Sequence, residues 1–418
     1  MLRQITIEEW AKHRILSLES VFEAVTEIMA DVVDRGDEAL FELTDRFDGI
    51  SLDSLQVSDE DIINALEEVD DEMLQALSDA YDRITEFHEQ QKEKDLWLHE
   101  TDPGIMLGVK VTPLDRVGIY VPGGRAAYPS TVLMCAAPAR VAGVSEICVC
   151  TPPGKEGPSA LTLAACAICG IHEIYQVGGA QAIVAMASGT DSIPHVDKIV
   201  GPGNAYVAAA KHAVQGVVAI DFPAGPSEVA IIADDSANAV FVAADIIAQS
   251  EHDPSAASVL ITPSELFVEQ VNKEIKKQLK KTARKEVVTA ALRNAGVIIT
   301  SDLDEAFDIA NGIAPEHLSV QVTDPLSWLS RIQHAGSIFI GSYTPVACGD
   351  YASGTNHVLP TAGNARIYSG LNVSHFTKTS TVQMITKEGL MEINDMVEKI
   401  ADAEGLHAHA DSVRVRLE

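Results

Sequence analysis

The chain reads as an α/β protein built on two parallel sheets, with a helical segment before them and a helical tail after. Three patterns predict this. Residues 117–200 repeat a β-loop-α rhythm, residues 228–340 repeat it again, and residues 17–91 carry apolar side chains at three and four spacing.

Taken in order, the helical period runs through VFEAVTEIMADVVDRGDEALFELTDRF and MLQALSDAYDRITEFHEQQ, an N-terminal helical layer. VGIYV (117–121), EICVC (146–150), EIYQV (173–177) and KIV (198–200) are short β-like runs, each followed by Gly or Pro and then helix-like sequence, as a parallel sheet requires. The second series is EVAIIA (228–233), SVLIT (258–262), GVIIT (296–300), LSVQV (318–322) and GSIFI (336–340). Its helices are NAVFVAADIIAQ, ELFVEQVNKEIKKQLKK and LDEAFDIANGI. Halves of such similar grammar predict two related Rossmann-like domains meeting near residues 223–228, a common setting for a ligand cleft. We divide the chain into an N-terminal segment (1–16), a discontinuous first α/β domain (17–119 with 229–371), a second α/β domain (120–228) and a tail (372–418).

After Gly341 the rhythm gives way to SYTPVACGDYASGTNHVLPTAGNARIYSG, a loop long enough to expect function. A helix from about Lys387 to Glu404 then leads to GLHAHADSVRVRLE. That tail has too little sequence for a core of its own, so something else, a second subunit included, must order its histidines.

Composition narrows the function classes. The 418 residues are 46% hydrophobic, which suits a globular chain of two or three domains. Sixty-one acidic against thirty basic residues give a net charge of −31, which argues against a nucleic-acid or anionic-membrane partner. The start, MLRQITIEEWAKHR, is charged where a signal peptide needs an apolar core, and no stretch reaches the roughly 18 apolar residues of a membrane span, so a cytoplasmic protein is expected. Cys166 and Cys169 form a C-x-x-C inside the apolar run LTLAACAICGI, where buried small residues are a better reading than a metal or redox pair. The lysines at 273, 276, 277, 280 and 281 read as a solvated helix face.

Three glycine-bearing turns follow strands of the first series: VPGGRAAYPST (121–131), GGAQAI (178–183) and GPGNAY (201–206). Such turns can bring backbone and helix N-termini to a dinucleotide, although none is a G-x-G-x-x-G and ordinary turn glycines look the same. The polar residues concentrate elsewhere, in AQSEH (248–252), APEH (314–317), GDYASGTNH (349–357) and EGLHAH (404–409). Gln249 and His252 share a helix face, Asp350 can supply an oxygen ligand and His409 a nitrogen ligand, a donor set zinc accepts. Glu316 and His317 adjoin at a strand entrance, where a carboxylate and an imidazole can serve two proton transfers, or form no more than a turn.

In one order along the chain stand Tyr120 with VPGG, then GGAQA, GPGN, GPSE, QSEHD, PEHL, GDYASGTNHVLPT and EGL-x-AH. By these strings the chain resembles the histidinol dehydrogenase family over essentially its whole length. The resemblance implies oxidation of L-histidinol to L-histidinal and then L-histidine, using two NAD⁺ and one zinc per subunit. It implies Gln249, His252, Asp350 and His409 as zinc ligands that also position substrate, His317 as base for the alcohol proton, and Glu316 as activator of the water that adds to the aldehyde. Ser227, His357 and Glu404 match substrate contacts of the family; Tyr120, Gln181 and Asn204 match its NAD contacts. It further implies a homodimer in which Glu404 and His409 act in the partner's site, with His407 a bystander and no role for Cys135. Two other readings fit the residues less well. A paralogue acting on another amino alcohol or diol would lack the groups at Ser227, His357 and Glu404, and a zinc hydrolase would have no use for the glycine turns.

Overall fold

The computed structural model describes residues 2–12, 14, 18–123, 127–155, 157–223 and 225–418. A six-stranded sheet, parallel throughout, runs in the order Arg3–Gln4, Ala295–Ile299, Ala257–Thr262, Glu228–Ala233, His317–Gln321, Ser337–Ile340. Strands Glu228–Ala233 and Ala257–Thr262 are buried at every position, which is why they read as unbroken apolar runs. Side chains alternate between faces. Val229 and Ile231 pack with Val242, Ile246, Phe267 and Val271 of the helices Ala239–Ser250 and Glu265–Gln278, while Ala230 and Ile232 pack with Trp10, Phe307 and Ile313.

The second sheet is also parallel, in the order Glu173–Tyr175, Glu146–Cys150, Arg116–Tyr120, Lys198–Val200, Ala219–Ile220. Numbered along the chain this is 3-2-1-4-5, and the last five strands of the first sheet have the same order. The α/β class and the two similar halves are therefore as expected. In each sheet the order reverses beside the first strand, at Arg116–Tyr120 in one and Glu228–Ala233 in the other.

The packing departs from the division drawn on sequence in three places. Arg3 and Gln4 form an edge strand on Gly296 and Val297, so the first residues belong to the six-stranded sheet. Two residues are too few to show a strand period, and Gly296 lacks the Cβ that would strike Ile5. The helical layer, assigned with 17–119 to the first domain, instead covers the five-stranded sheet: Val25, Ile28 and Leu40 pack with Cys148 and Ile183, and Ile62, Leu77 and Ile84 with Val117 and Val132. The boundary at 119/120 also cuts the strand Arg116–Tyr120. Third, the tail contains a strand, Thr377–Ile385, in an antiparallel sheet on Ile105–Pro113, which pairs with Leu96–Asp102 in turn. Leu96–Asp102 is exposed at all seven positions, so it lacks the one-sided burial that makes a strand legible.

The helices Lys387–Ala403 and His407–Leu417 close the chain, joined by Arg414, which reaches Glu398 at 2.6 Å and Asp402 at 2.7 Å. Among the described residues no helix is long and apolar enough to cross a membrane.

Candidate active site

The helix Leu303–Ile313 ends at Ala314, whose backbone is left-handed with φ 50°, and Pro315 prevents its continuation. The chain is thus turned into the strand His317–Gln321, with Glu316 just ahead of it. Both residues of this pair are buried. The Glu316 carboxylate accepts the N–H of Glu228 at 2.7 Å and a bond from the Ser227 hydroxyl. Burial pushes its pKa well above the carboxylate range, and the charges of Glu228 and Asp350 add to this.

His317 has a defined tautomer. Its Nδ1 lies 3.0 Å from the carbonyl oxygen of Glu228, which can only accept, so Nδ1 carries the proton. Nε2 keeps a lone pair and is buried without a hydrogen-bond partner. Burial lowers the imidazole pKa to about 4, with His252 and His357 contributing. Glu316 Oε2 stands 3.5 Å from Nδ1, but an acid driven toward neutrality beside a neutral imidazole is not an ion pair.

The glycine-rich loop brings in two more groups. Asp350 lies in the short helix Val346–Tyr351, with burial pushing its pKa up to about 7. Gly349 beside it admits the Phe339 ring where a Cβ would stand only 2.7 Å from Cε1. His357 Nδ1 donates to the carbonyl of Asp350 at 3.0 Å, the arrangement of His317 repeated, and burial lowers its pKa to about 4. The adjacent Asn356 is tied by its Nδ2 to the carbonyl of Met134 at 2.7 Å, which joins this loop to the helix Pro129–Ala142.

Gln249 occupies the last turn of Ala239–Ser250, buried, with its Nε2 unpartnered. His252 follows just beyond the helix, its pKa lowered by desolvation, and its charge would act on both His317 and His357. One chain therefore brings together His252, Glu316, His317, Asp350 and His357, with Ser227 and Gln249 on adjoining turns. It does not bring Glu404 or His409. Both are exposed, Glu404 in the turn that ends Lys387–Ala403 and His409 in the helix His407–Leu417. Among the described residues no cluster of three or more His, Cys, Asp and Glu side chains could hold a metal. His407 is engaged by Asp402 at 2.9 Å.

Tyr120, Gln181 and Asn204 line a single cleft of about 1510 Å3 together with Gly123, Gly179 and Tyr206. It opens where the order of the second sheet reverses, the crevice in which open α/β sheets take ligands. Tyr120 ends its strand, and its Oη accepts the N–H of Gly179 at 3.0 Å; burial pushes the phenol up to about 12, so it stays protonated. Asn204 caps the helix Ala205–Val214, its Oδ1 accepting from Tyr206 at 3.0 Å and Val207 at 3.2 Å. Gly201, at φ 111°, lies where a Cβ would overlap the Tyr120 carbonyl. Residues 124–126 of the first glycine turn lie outside the described residues. Cys135, Cys166 and Cys169 are buried with their thiol pKa values raised by burial, so none offers a thiolate.

Residues 12–417 match the family model for histidinol dehydrogenase. The chain belongs to the histidinol dehydrogenase family. It is 52% identical over 415 residues to the histidinol dehydrogenase of Methanosarcina mazei, covering 98% of this chain and 96% of that one. To the histidinol dehydrogenase of Methanothermobacter thermautotrophicus it is 50% identical, with 100% of both chains covered. Its fold superimposes on the crystal structure of histidinol dehydrogenase from Elizabethkingia anophelis with a TM-score of 0.95 at 39% identity, covering 100% and 98% of the two chains. Family membership leaves Arg14 and Glu228, which adjoin the Glu316–His317 pair, without a role that the motifs announce. Glu228 stands inside GPSE; Arg14 has no signal in the sequence at all.

Proposed function

We propose that the protein oxidises L-histidinol through L-histidinal to L-histidine, the closing steps of histidine biosynthesis, with NAD⁺ and zinc. The observation that carries this reading is the buried, unpartnered Nε2 of His317 beside the raised carboxyl of Glu316. A neutral imidazole with its lone pair directed away from Glu228 accepts the alcohol proton as the C–H hydride departs. Glu316, once ionised, is a stronger base than an ordinary carboxylate and takes a proton from the water that adds to the aldehyde. The resulting hydrate loses the second hydride, and the acid forms. His357, its Nδ1 proton committed to Asp350, offers Nε2 as an acceptor to substrate, and Ser227 lies on the same turn as Glu316's partners.

Gln249, His252 and Asp350 suit zinc: an unsatisfied buried amide, an imidazole kept neutral and a carboxylate. Zinc, when bound, supplies a positive centre that fixes the amine and imidazole of the substrate. The set is one ligand short within a chain, and we assign the fourth to His409 of a second copy, with Glu404 contacting substrate beside it. Exposed apolar side chains suit that contact: Leu96, Trp97 and Leu98 on the antiparallel sheet that the strand Thr377–Ile385 joins, and Met391, Met396 and Ile400 on the long helix. NAD⁺, bound at Tyr120, Gln181 and Asn204, supplies the hydride acceptor for both oxidations. The uncharged phenol of Tyr120 and the capped turn at Asn204 hold the cleft's shape. All six cysteines are free thiols, the state of a reducing cytoplasm, where we place the enzyme.

The test is stoichiometric. With L-histidinol and NAD⁺ the protein should form two NADH per substrate consumed, lose this on chelation and regain it with zinc. No NADH from histidinol would overturn the reading, and NADH from other amino alcohols alone would favour a paralogous dehydrogenase.

A further inference from the structure

We infer that Arg14 and Glu228 are positioning residues for the Glu316–His317 pair, Glu228 gripping both members and Arg14 fixing Glu228. This rests on the proton-transfer roles proposed above. The Arg14 guanidinium, buried, forks onto the Glu228 carboxylate with Nε to Oε2 at 2.5 Å and Nη2 to Oε1 at 2.7 Å. Its remaining N–H groups donate to the carbonyls of Ile313 at 2.9 Å and Ala314 at 3.5 Å, the last turn of the helix that leads into Glu316. Arg14 thereby ties the approach to Glu316 to the start of the neighbouring strand.

Glu228 completes the clamp from three of its atoms. Its Oε1 accepts the backbone N–H of Glu316 at 3.2 Å, its own N–H donates to the Glu316 carboxylate at 2.7 Å, and its carbonyl accepts the Nδ1 proton of His317 at 3.0 Å. One residue therefore sets the peptide and the carboxyl of Glu316 and, through the carbonyl, the tautomer of His317.

Backbone conformation points to the same pair. Among the described residues three that are not glycine have positive φ, and two of them meet here. Ala314, at φ 50°, presents its carbonyl to Arg14, and Ala362, at φ 56°, presents its N–H to Glu228. An alanine stays left-handed where its surroundings over-determine it. A buried ion pair adds little net stability over an apolar pair of the same size, so what this one contributes is geometry.

Steady-state oxidation of histidinol and of histidinal, followed separately as NADH formed, tests this in the zinc-loaded full-length enzyme. Arg14→Lys keeps the charge and loses the fork; Glu228→Gln keeps the shape and loses the charge. Each should lower kcat for histidinal about ten-fold or more while KM moves less than about two-fold, a split that general loosening of the fold would not produce. In a Glu316→Gln background Glu228→Gln should cost less than about two-fold further, because its effect passes through Glu316. If Glu228→Gln does not fold, the double variant Arg14→Gln/Glu228→Gln, which buries no unpaired charge, should show the same loss of kcat. Wild-type kcat in these variants, or an undiminished loss in the Glu316→Gln background, overturns the inference and leaves the reading of Glu316 intact. Wild-type histidinal oxidation by Glu316→Gln alone defeats that reading, and the inference falls with it.

Discussion

His317 donates a hydrogen bond from Nδ1 to the backbone carbonyl of Glu228, 3.0 Å away, and its Nε2 is left buried with no partner. A main-chain oxygen cannot return a proton, so the imidazole is held as one tautomer with one free lone pair. The proposed division of labour follows from this contact and from the carboxyl beside it.

His317→Ala should slow oxidation of the alcohol by about 10²- to 10⁴-fold, the usual worth of a general base. Glu316→Gln should impair the aldehyde step more than the alcohol step. Separate assays of histidinol and histidinal check this, and equal losses in both half-reactions for both variants would refute it.

The pH dependence differs between the two groups because their pKa values are shifted in opposite directions. His317, with its pKa near 4, is already a free base at neutrality, so the alcohol step should not gain from its deprotonation between pH 6 and 8. Glu316, raised by burial, should make aldehyde oxidation climb with pH as it ionises. Half-reaction pH profiles, with Glu316→Gln flattening the aldehyde limb, give the comparison.

Folding stability should respond to the same shifts. Because His317 binds its proton more weakly folded (about 4) than unfolded (6.5), its stabilising share is present above 6.5 and lost as pH falls toward 4. For Glu316 the folded pKa is raised, so its share is present below the unfolded carboxylate range and lost as pH rises through the folded value. Melting temperatures should therefore show Glu316→Gln gaining on the wild type as pH increases, and a constant difference would contradict the sign.

Tyr120→Phe removes the acceptor of the Gly179 N–H and loosens the turn that carries Gln181. The cost of an unmade buried hydrogen bond, about 1–3 kcal/mol, corresponds to NAD⁺ binding weaker by roughly five- to a hundred-fold. Calorimetric titration measures it; unchanged affinity would remove Tyr120 from the proposed NAD⁺ contacts.

Mixing His409→Ala with His317→Ala subunits should restore activity, since a heterodimer with shared sites has one intact centre. Random pairing predicts about a quarter of wild-type turnover. No recovery after verified subunit exchange would place His409 in its own chain's site.

Much of the architecture was legible because parallel strands buried on both faces announce themselves as apolar runs, as EVAIIA and SVLIT do. The exposed strand Leu96–Asp102 and the two-residue edge strand Arg3–Gln4 carry no such mark. The destination of the helical layer was equally hidden, since an amphipathic face shows that Val25 and Ile28 are buried but not against which sheet.

For the site, the sequence by itself determined the inventory: the motifs around Gln249, His252, Glu316, His317, Asp350 and His357 name the groups and, by their order, the family. Tertiary structure alone decided their state. Which histidine nitrogen is free, why the Glu316 carboxyl is raised above its usual range and that Arg14, some 300 residues away in the chain, grips the carbonyl ahead of Pro315 all depend on burial and on through-space partners. Desolvation and hydrogen bonding across elements leave no trace in local sequence, because they belong to the space between segments rather than to any one of them.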